Sequence, residues 1–166
     1  MTRFPRLLAL AGMAALAACS PQAAEADRPA STTLSNPSTH PVSGLQVIPV
    51  TITTAAGARV IRAEVASSPQ EQARGLMFRT EMGADEGMLF PYENDPHILG
   101  FWMRNTVLPL DIIFIDPQRR VLNIAANAVP YSEESVRSTG VAAAVLELNG
   151  GRAAELGIAP GDSVTW

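Results

Sequence analysis

At 166 residues and 47% hydrophobic content, the chain has room for one domain of ordinary size and enough apolar side chains to build its core. Its 12 basic residues against 16 acidic ones give a net charge of −4 with no basic stripe, which excludes a nucleic-acid role and adhesion to anionic lipid by charge. The lone cysteine, Cys19, excludes an intrachain disulfide.

Arg3 and Arg6 precede an apolar run, Leu7 to Ala18, that falls short of the ~20 residues a membrane-spanning helix needs. The run closes in Leu16-Ala17-Ala18-Cys19, which resembles the lipobox of bacterial lipoproteins. The expectation is a signal peptide over residues 1–18, cut before Cys19, and a lipid on that cysteine; an ordinary secretory signal with an incidental cysteine is the alternative. Two or more acyl chains, at ~0.8 kcal/mol per buried methylene, anchor a protein stably. Ser20 does not resemble an inner-membrane retention signal, so the expected location is the periplasmic side of the outer membrane. Losing Arg3 and Arg6 would move the charge to near −6.

Residues 19–45 are rich in proline, serine, threonine and alanine and nearly lack large apolar groups, so they cannot bury enough surface to offset their ordering entropy. They read as a disordered tether in which His40 is solvated. The folded domain is expected over 46–166. Val47 to Thr53 is dense in β-branched residues and predicts a strand, with Pro49 placing it at an edge. After the turn at Ala55 to Ala58, Arg59 to Ala66 alternates and predicts a second strand, with Arg62 and Glu64 on one face and Ile61, Ala63 and Val65 on the other. Ser68-Pro69-Gln70-Glu71 is a capping box with proline at the first helical position, and Gly75 ends the short helix it begins. Gly87 to Phe90 predicts a brief buried strand.

The stretch Phe101 to Asp116 is expected to form two extended halves broken by Pro109. Asp116-Pro117-Gln118-Arg119 suits a type I turn, returning the chain through a strand over Arg120 to Ala128. Val141 to Leu148 is a strand interrupted only by Glu147. Asn149 is read as the cap of a second short helix ending at Gly157, and Pro160-Gly161-Asp162 as a turn into Ser163 to Trp166. The sum is a mainly β, single compact domain of seven or eight strands, barrel-like or two packed sheets, with two short helices.

Four ordered motifs carry a resemblance: Ala73-Arg74-Gly75-Leu76-Met77-Phe78-Arg79; Glu86-Gly87-Met88-Leu89-Phe90; Phe101-Trp102-Met103-Arg104-Asn105-Thr106 with Pro109-Leu110-Asp111; and Val145-Leu146-Glu147-Leu148-Asn149-Gly150-Gly151 with Gly157-Ile158 and Pro160-Gly161-Asp162. In this order they resemble the domain-of-unknown-function 192 family. The resemblance implies a compact, mostly β domain, often exported, with no activity to carry over. Many members resemble one another in a cysteine-bearing loop between the third and fourth motifs, whereas Val129 to Gly140 has no cysteine here.

Within the central stretch, Trp102, Arg104, Asn105 and Asp111 are the candidate ligand-binding residues. Asp111 stands in a run that reads as buried strand, and a buried carboxylate needs a partner, for which Arg104, Arg74 and Arg79 are available. Facing one cleft, the four would offer a stacking surface, a cation, an amide and a carboxylate, a set suited to a glycan or another small polar ligand. The same residues admit a structural reading: an Asp111–Arg104 ion pair holding the bend at Pro109, Trp102 in the core, and Asn105-Thr106 bonding a turn.

The expected function is therefore an envelope binding module with no cofactor and no metal. The alternatives are a hydrolase pairing Asp111 with Glu86, Asp85 or His97, a structural or partner-binding envelope protein, and a copper site drawing on Met77, Met82, Met88, Met103 and His97. Thioethers and imidazole suit Cu(I), although methionines in apolar runs ordinarily fill core gaps.

Overall fold

The computed structural model describes residues 38–166; the expected signal peptide, the lipidation site Cys19 and the tether up to residue 37 lie outside the described residues. Among those described, β1 (Ser38–Thr39), β2 (Gln46–Thr54), β3 (Gly57–Val65), β4 (Glu86–Pro91), β6 (Leu110–Ile115), β7 (Val121–Ala128), β9 (Ala144–Asn149) and β10 (Ser163–Thr165) form one eight-stranded sheet. A two-stranded sheet joins β5 (Gly100–Phe101) to β8 (Val136–Arg137), and the helices are α1 (Pro69–Arg74) and α2 (Arg152–Leu156). The fold is thus mainly β with two short helices.

The large sheet runs β1-β2-β3-β4-β9-β6-β7, all antiparallel except β3 beside β4. Strand β10 pairs with β2 on one side and, through Val164 N to Arg119 O (2.8 Å) and Val121 N to Asp162 O (2.9 Å), with the head of β7 on the other. It thereby links β2, next to one end of the strand order, with β7 at the other and curls the sheet back on itself. Side chains alternating along each strand consequently fill two cores. One holds Val50, Ile52, Ile61, Ala63, Leu89, Ile113, Leu146, Leu148 and Val164, and takes Ala153 and Ile158 from α2 and the loop after it. The other lies on the opposite face, where Met88, Phe90, Ile112, Phe114 and Val145 are covered by Leu76, Leu99 and Met103.

That second core changes the expected exposure of several residues. Glu64, on the face opposite Ile61 and Ala63 as expected, is buried because Arg79 and the segment around His40 lie over it. Its carboxylate takes two bonds from Arg79 (2.9 and 3.2 Å) and one from Ser43 Oγ. His40, expected to be solvated, is also enclosed: its Nδ1 accepts from the Val42 backbone (3.3 Å), and its Nε2 lies 3.2 Å from Arg79. The chain therefore joins the sheet at Ser38, ahead of the expected start at Gln46.

The capping box on α1 forms as expected, with Glu71 N donating to Ser68 Oγ (3.2 Å) and Ser68 N to Glu71 Oε2 (2.7 Å). Asn149 does not cap α2; its amide donates to the carbonyls of Met82 and Gly83, both at 3.0 Å, and Gly151 holds the cap position in a left-handed backbone (φ 86°). Gly87 is required by a close approach: a Cβ there would stand 2.6 Å from the Glu147 carbonyl oxygen. Gly87→Ala is expected to push β4 off β9 and cost about 2 kcal/mol, read as a lower urea midpoint at unchanged m-value.

Candidate binding cavity

Only the ends of the Phe101 to Asp116 stretch are extended. Residues 102–109 form turns in which Asn105 takes a left-handed backbone (φ 55°), and strand structure resumes at Leu110. Trp102, Arg104 and Asn105 share this turn. Trp102 is 47% exposed, the Arg104 guanidinium stands 5.5 Å from its ring centre, and Asn105 Nδ2 lies 3.9 Å from Met77 Sδ.

Asp111 lies in a different environment. It is fully buried, and its carboxylate accepts from the backbone amides of Asn127 (2.8 Å), Gly151 (3.0 Å) and Ala153 (2.8 Å). The expectation that it faces a cleft with Trp102 is thus corrected, as is the expected arginine partner: backbone N–H groups from β7 and the start of α2 saturate it. Arg104 approaches Glu133 instead (3.9 Å), and Arg79 belongs to Glu64.

The cavity beside Trp102 is built around Glu147, which the sequence reading passed over. The pairings Met88↔Glu147 and Ile112↔Glu147 put these three side chains in one row across β4, β9 and β6, on the face of the second core. Glu64 pairs with Met88 in the same row. The two glutamates differ sharply: Glu64 is neutralised by Arg79, whereas Glu147, 4% exposed, makes no side-chain hydrogen bond among the described residues and opens its carboxyl onto a cavity of about 200 Å³. Burial pushes its carboxyl up to about 8, so at neutral pH it is a protonated acid. One signal was available in the sequence: a single acid in an otherwise apolar strand, Val141 to Leu148.

Around Glu147 the cavity is walled by Leu76, Met77, Phe90, Tyr92, Phe101 and Trp102, with Gln72 and Arg74 of α1 at its edge. The Phe90 and Phe101 rings meet edge to face, 5.1 Å between centres. Burial, and secondarily the nearby Glu147, hold the Tyr92 phenol above its ordinary value, so it too stays neutral. Thr106 Oγ1 is committed to the Arg104 carbonyl (3.2 Å) and the Gln72 amide to that of Pro91 (3.0 Å).

Three loops interlock beside the mouth through Phe78 N to Asn105 O (2.9 Å), Tyr131 N to Thr106 O (3.1 Å) and Met103 N to Ser132 O (2.8 Å). Phe78, Asn105 and Tyr131 all have positive φ, a conformation that costs a non-glycine residue ~1–3 kcal/mol. Three of the five non-glycine residues with positive φ among the described residues thus lie on loops next to the cavity, the others being Arg119 and Asn127.

The other expected groupings do not assemble. Asp85 pairs with Arg152 (2.6 Å), Glu86 accepts from Gly83 N (2.9 Å) and His97 Nδ1 lies 2.6 Å from the Asp95 carbonyl; none of the three lines this cavity. Met88 and Met103 are sealed in the core while His97 is exposed, so the five residues considered for copper do not face a common space.

The family model DUF192, described as "Uncharacterized ACR", matches residues 50–166. A crystal structure of a protein of unknown function from Novosphingobium aromaticivorans DSM 12444 is similar, at 59% identity and TM-score 0.77 over 80% of this chain and 94% of that one. A protein from Sinorhizobium meliloti 1021, proposed there as a transcription regulator, is 40% identical with TM-score 0.68, over 70% of this chain and 91% of that one. No protein with a curated description matches.

Proposed function

The chain belongs to the DUF192 family, and from that premise we propose that its domain is a small-molecule binding module whose site is the cavity above Glu147. The observation that carries this reading is the contrast within one row of the sheet: Glu64 is neutralised by an arginine, while Glu147 is equally buried, unpartnered among the described residues, and open to a cavity. The carboxyl thus turns uncommitted hydrogen-bonding groups into the cavity, where an entering molecule can pair with them. The walls favour a compact, largely apolar ligand over a glycan, whose many hydroxyls would need more free polar partners than Tyr92, Arg74 and Glu147 provide.

A hydrolase with two carboxyls is less well supported, because Glu147 is the only carboxylic acid among the cavity-lining residues. The transcription role proposed for the Sinorhizobium protein is not extended to this chain, whose 16 acidic against 12 basic residues would repel DNA. The envelope location remains part of the proposal on the strength of Leu16-Ala17-Ala18-Cys19, with the lipid as membrane partner.

The test is a fragment screen on the full-length chain by thermal shift and ligand-observed NMR. Fragments that stabilise it should weaken about tenfold with Trp102→Ala. They should be lost with Ala73→Phe, which adds a ring at an exposed position on the cavity edge and should leave the unliganded melting temperature unchanged. Binding indifferent to both changes would place the site elsewhere.

A further inference from the structure

The ligand's chemistry follows from the state of the cavity floor, and this step rests on the cavity being the binding site. The titratable or charged groups facing the cavity are Glu147 from β9, Tyr92 just after β4 and Arg74 from α1, the last on an exposed position at the edge; β4 and β6 place only Met88 and Ile112 beside Glu147. Ionising Glu147 there would leave a desolvated charge with no cation against it, so the neutral acid is the resting form. A neutral carboxyl presents a C=O acceptor and an O–H donor side by side in one plane.

The complement of that edge is an N–H beside a C=O, which forms two parallel hydrogen bonds with it. A cationic ligand would first have to ionise Glu147, and an anionic one would shed its water against a floor that carries no charge. The walls add Phe90, Tyr92, Phe101 and Trp102, which suit a flat ring. The space of about 200 Å³ is adequate for a six-membered ring with one substituent, since apolar cavities of roughly 150 Å³ accept benzene. We propose that the cavity takes an uncharged planar molecule bearing a carboxamide or lactam, its amide edge paired with the Glu147 carboxyl and its ring against the aromatic walls.

Three probes share one ring and differ in charge: benzamide, benzoate and benzylammonium. Each is titrated into the full-length chain by NMR between pH 6.5 and 9. Benzamide should bind at least tenfold tighter than the other two at pH 6.5. It should weaken about tenfold from pH 7 to pH 9, as the protonated fraction falls through a value of about 8. Glu147→Gln keeps a donor and an acceptor side by side, so that variant should bind benzamide within about threefold of the parent at pH 6.5 and without pH dependence.

Benzylammonium binding that tightens as pH rises and vanishes in Glu147→Gln would overturn the amide assignment in favour of a cation; benzoate preferred over benzamide would overturn it in favour of an anion. In both cases loss of binding with Ala73→Phe would leave the cavity standing as the site. If none of the three binds, the amide assignment falls. If in addition no fragment of the wider screen responds to Ala73→Phe, the cavity reading falls with it.

Discussion

Asp111→Ala is expected to lower the unfolding free energy by about 3–5 kcal/mol, among the largest effects of any single substitution in this domain. The side chain is completely buried and holds three backbone donors from two separate parts of the chain: Asn127 at the end of β7, and Gly151 and Ala153 at the start of α2. Gly151 carries no side chain to cap that helix, so the cap comes from Asp111 on β6 instead. Truncation leaves three amide groups dry and unbonded at ~1–3 kcal/mol each, partly relieved by relaxation. Asp111→Asn is the sharper probe. One oxygen remains, but the new NH2 faces an amide donor wherever it is placed, and about 2 kcal/mol should be lost. Urea unfolding at unchanged m-value reads both. A loss below about 0.5 kcal/mol for both variants would mean that the carboxylate is not what ties β7 to α2.

Asp111 also shows where the sequence could be read and where it could not. A carboxylate in the run Leu110 to Ile115 had to have a partner, and that requirement was visible locally. Its partners were not, because they are backbone groups 16, 40 and 42 residues away, brought in by register and by the path of the chain into α2. The features predicted well are those set by near neighbours: the β2–β3 hairpin, the capping box of α1, and the turn into β10. The misplacements share one cause. Both faces of the sheet are covered, so the alternation that marks Glu64 as outward does not mark it as exposed. The same covering makes β9 buried on both sides and turns Glu147, easily taken for a lone interruption, into the floor of a cavity. Trp102, Arg104 and Asn105 lie on one tight turn, of which Trp102 lines the cavity, whereas Asp111, near them in sequence, is buried against β7 and α2.

Glu147 should also impress a pH dependence on stability, with a sign opposite to that of an ordinary salt-bridged acid. Its carboxyl titrates at about 8 in the folded protein against 4.5 for a free one, and burial is the cause. Between these values the native state holds a proton that the unfolded chain has released. Stability is therefore greatest below pH 4.5, as far as this group is concerned, declines as pH rises, and has lost the whole contribution above about 8. At ~1.36 kcal/mol per pH unit the loss is bounded at about 5 kcal/mol. Glu147→Gln has no proton to release, so its unfolding free energy should be flatter with pH, and its advantage over the parent should grow by a few kcal/mol between pH 5 and pH 8.5. Urea titrations at four pH values measure this directly. Parallel curves for the two proteins would show that the carboxyl is ionised or partnered, and would remove the neutral donor–acceptor edge on which recognition of an amide depends. Curves that diverge would show that the folded protein holds a proton which the unfolded chain has released, and so that the floor of the cavity is a neutral acid at pH 7.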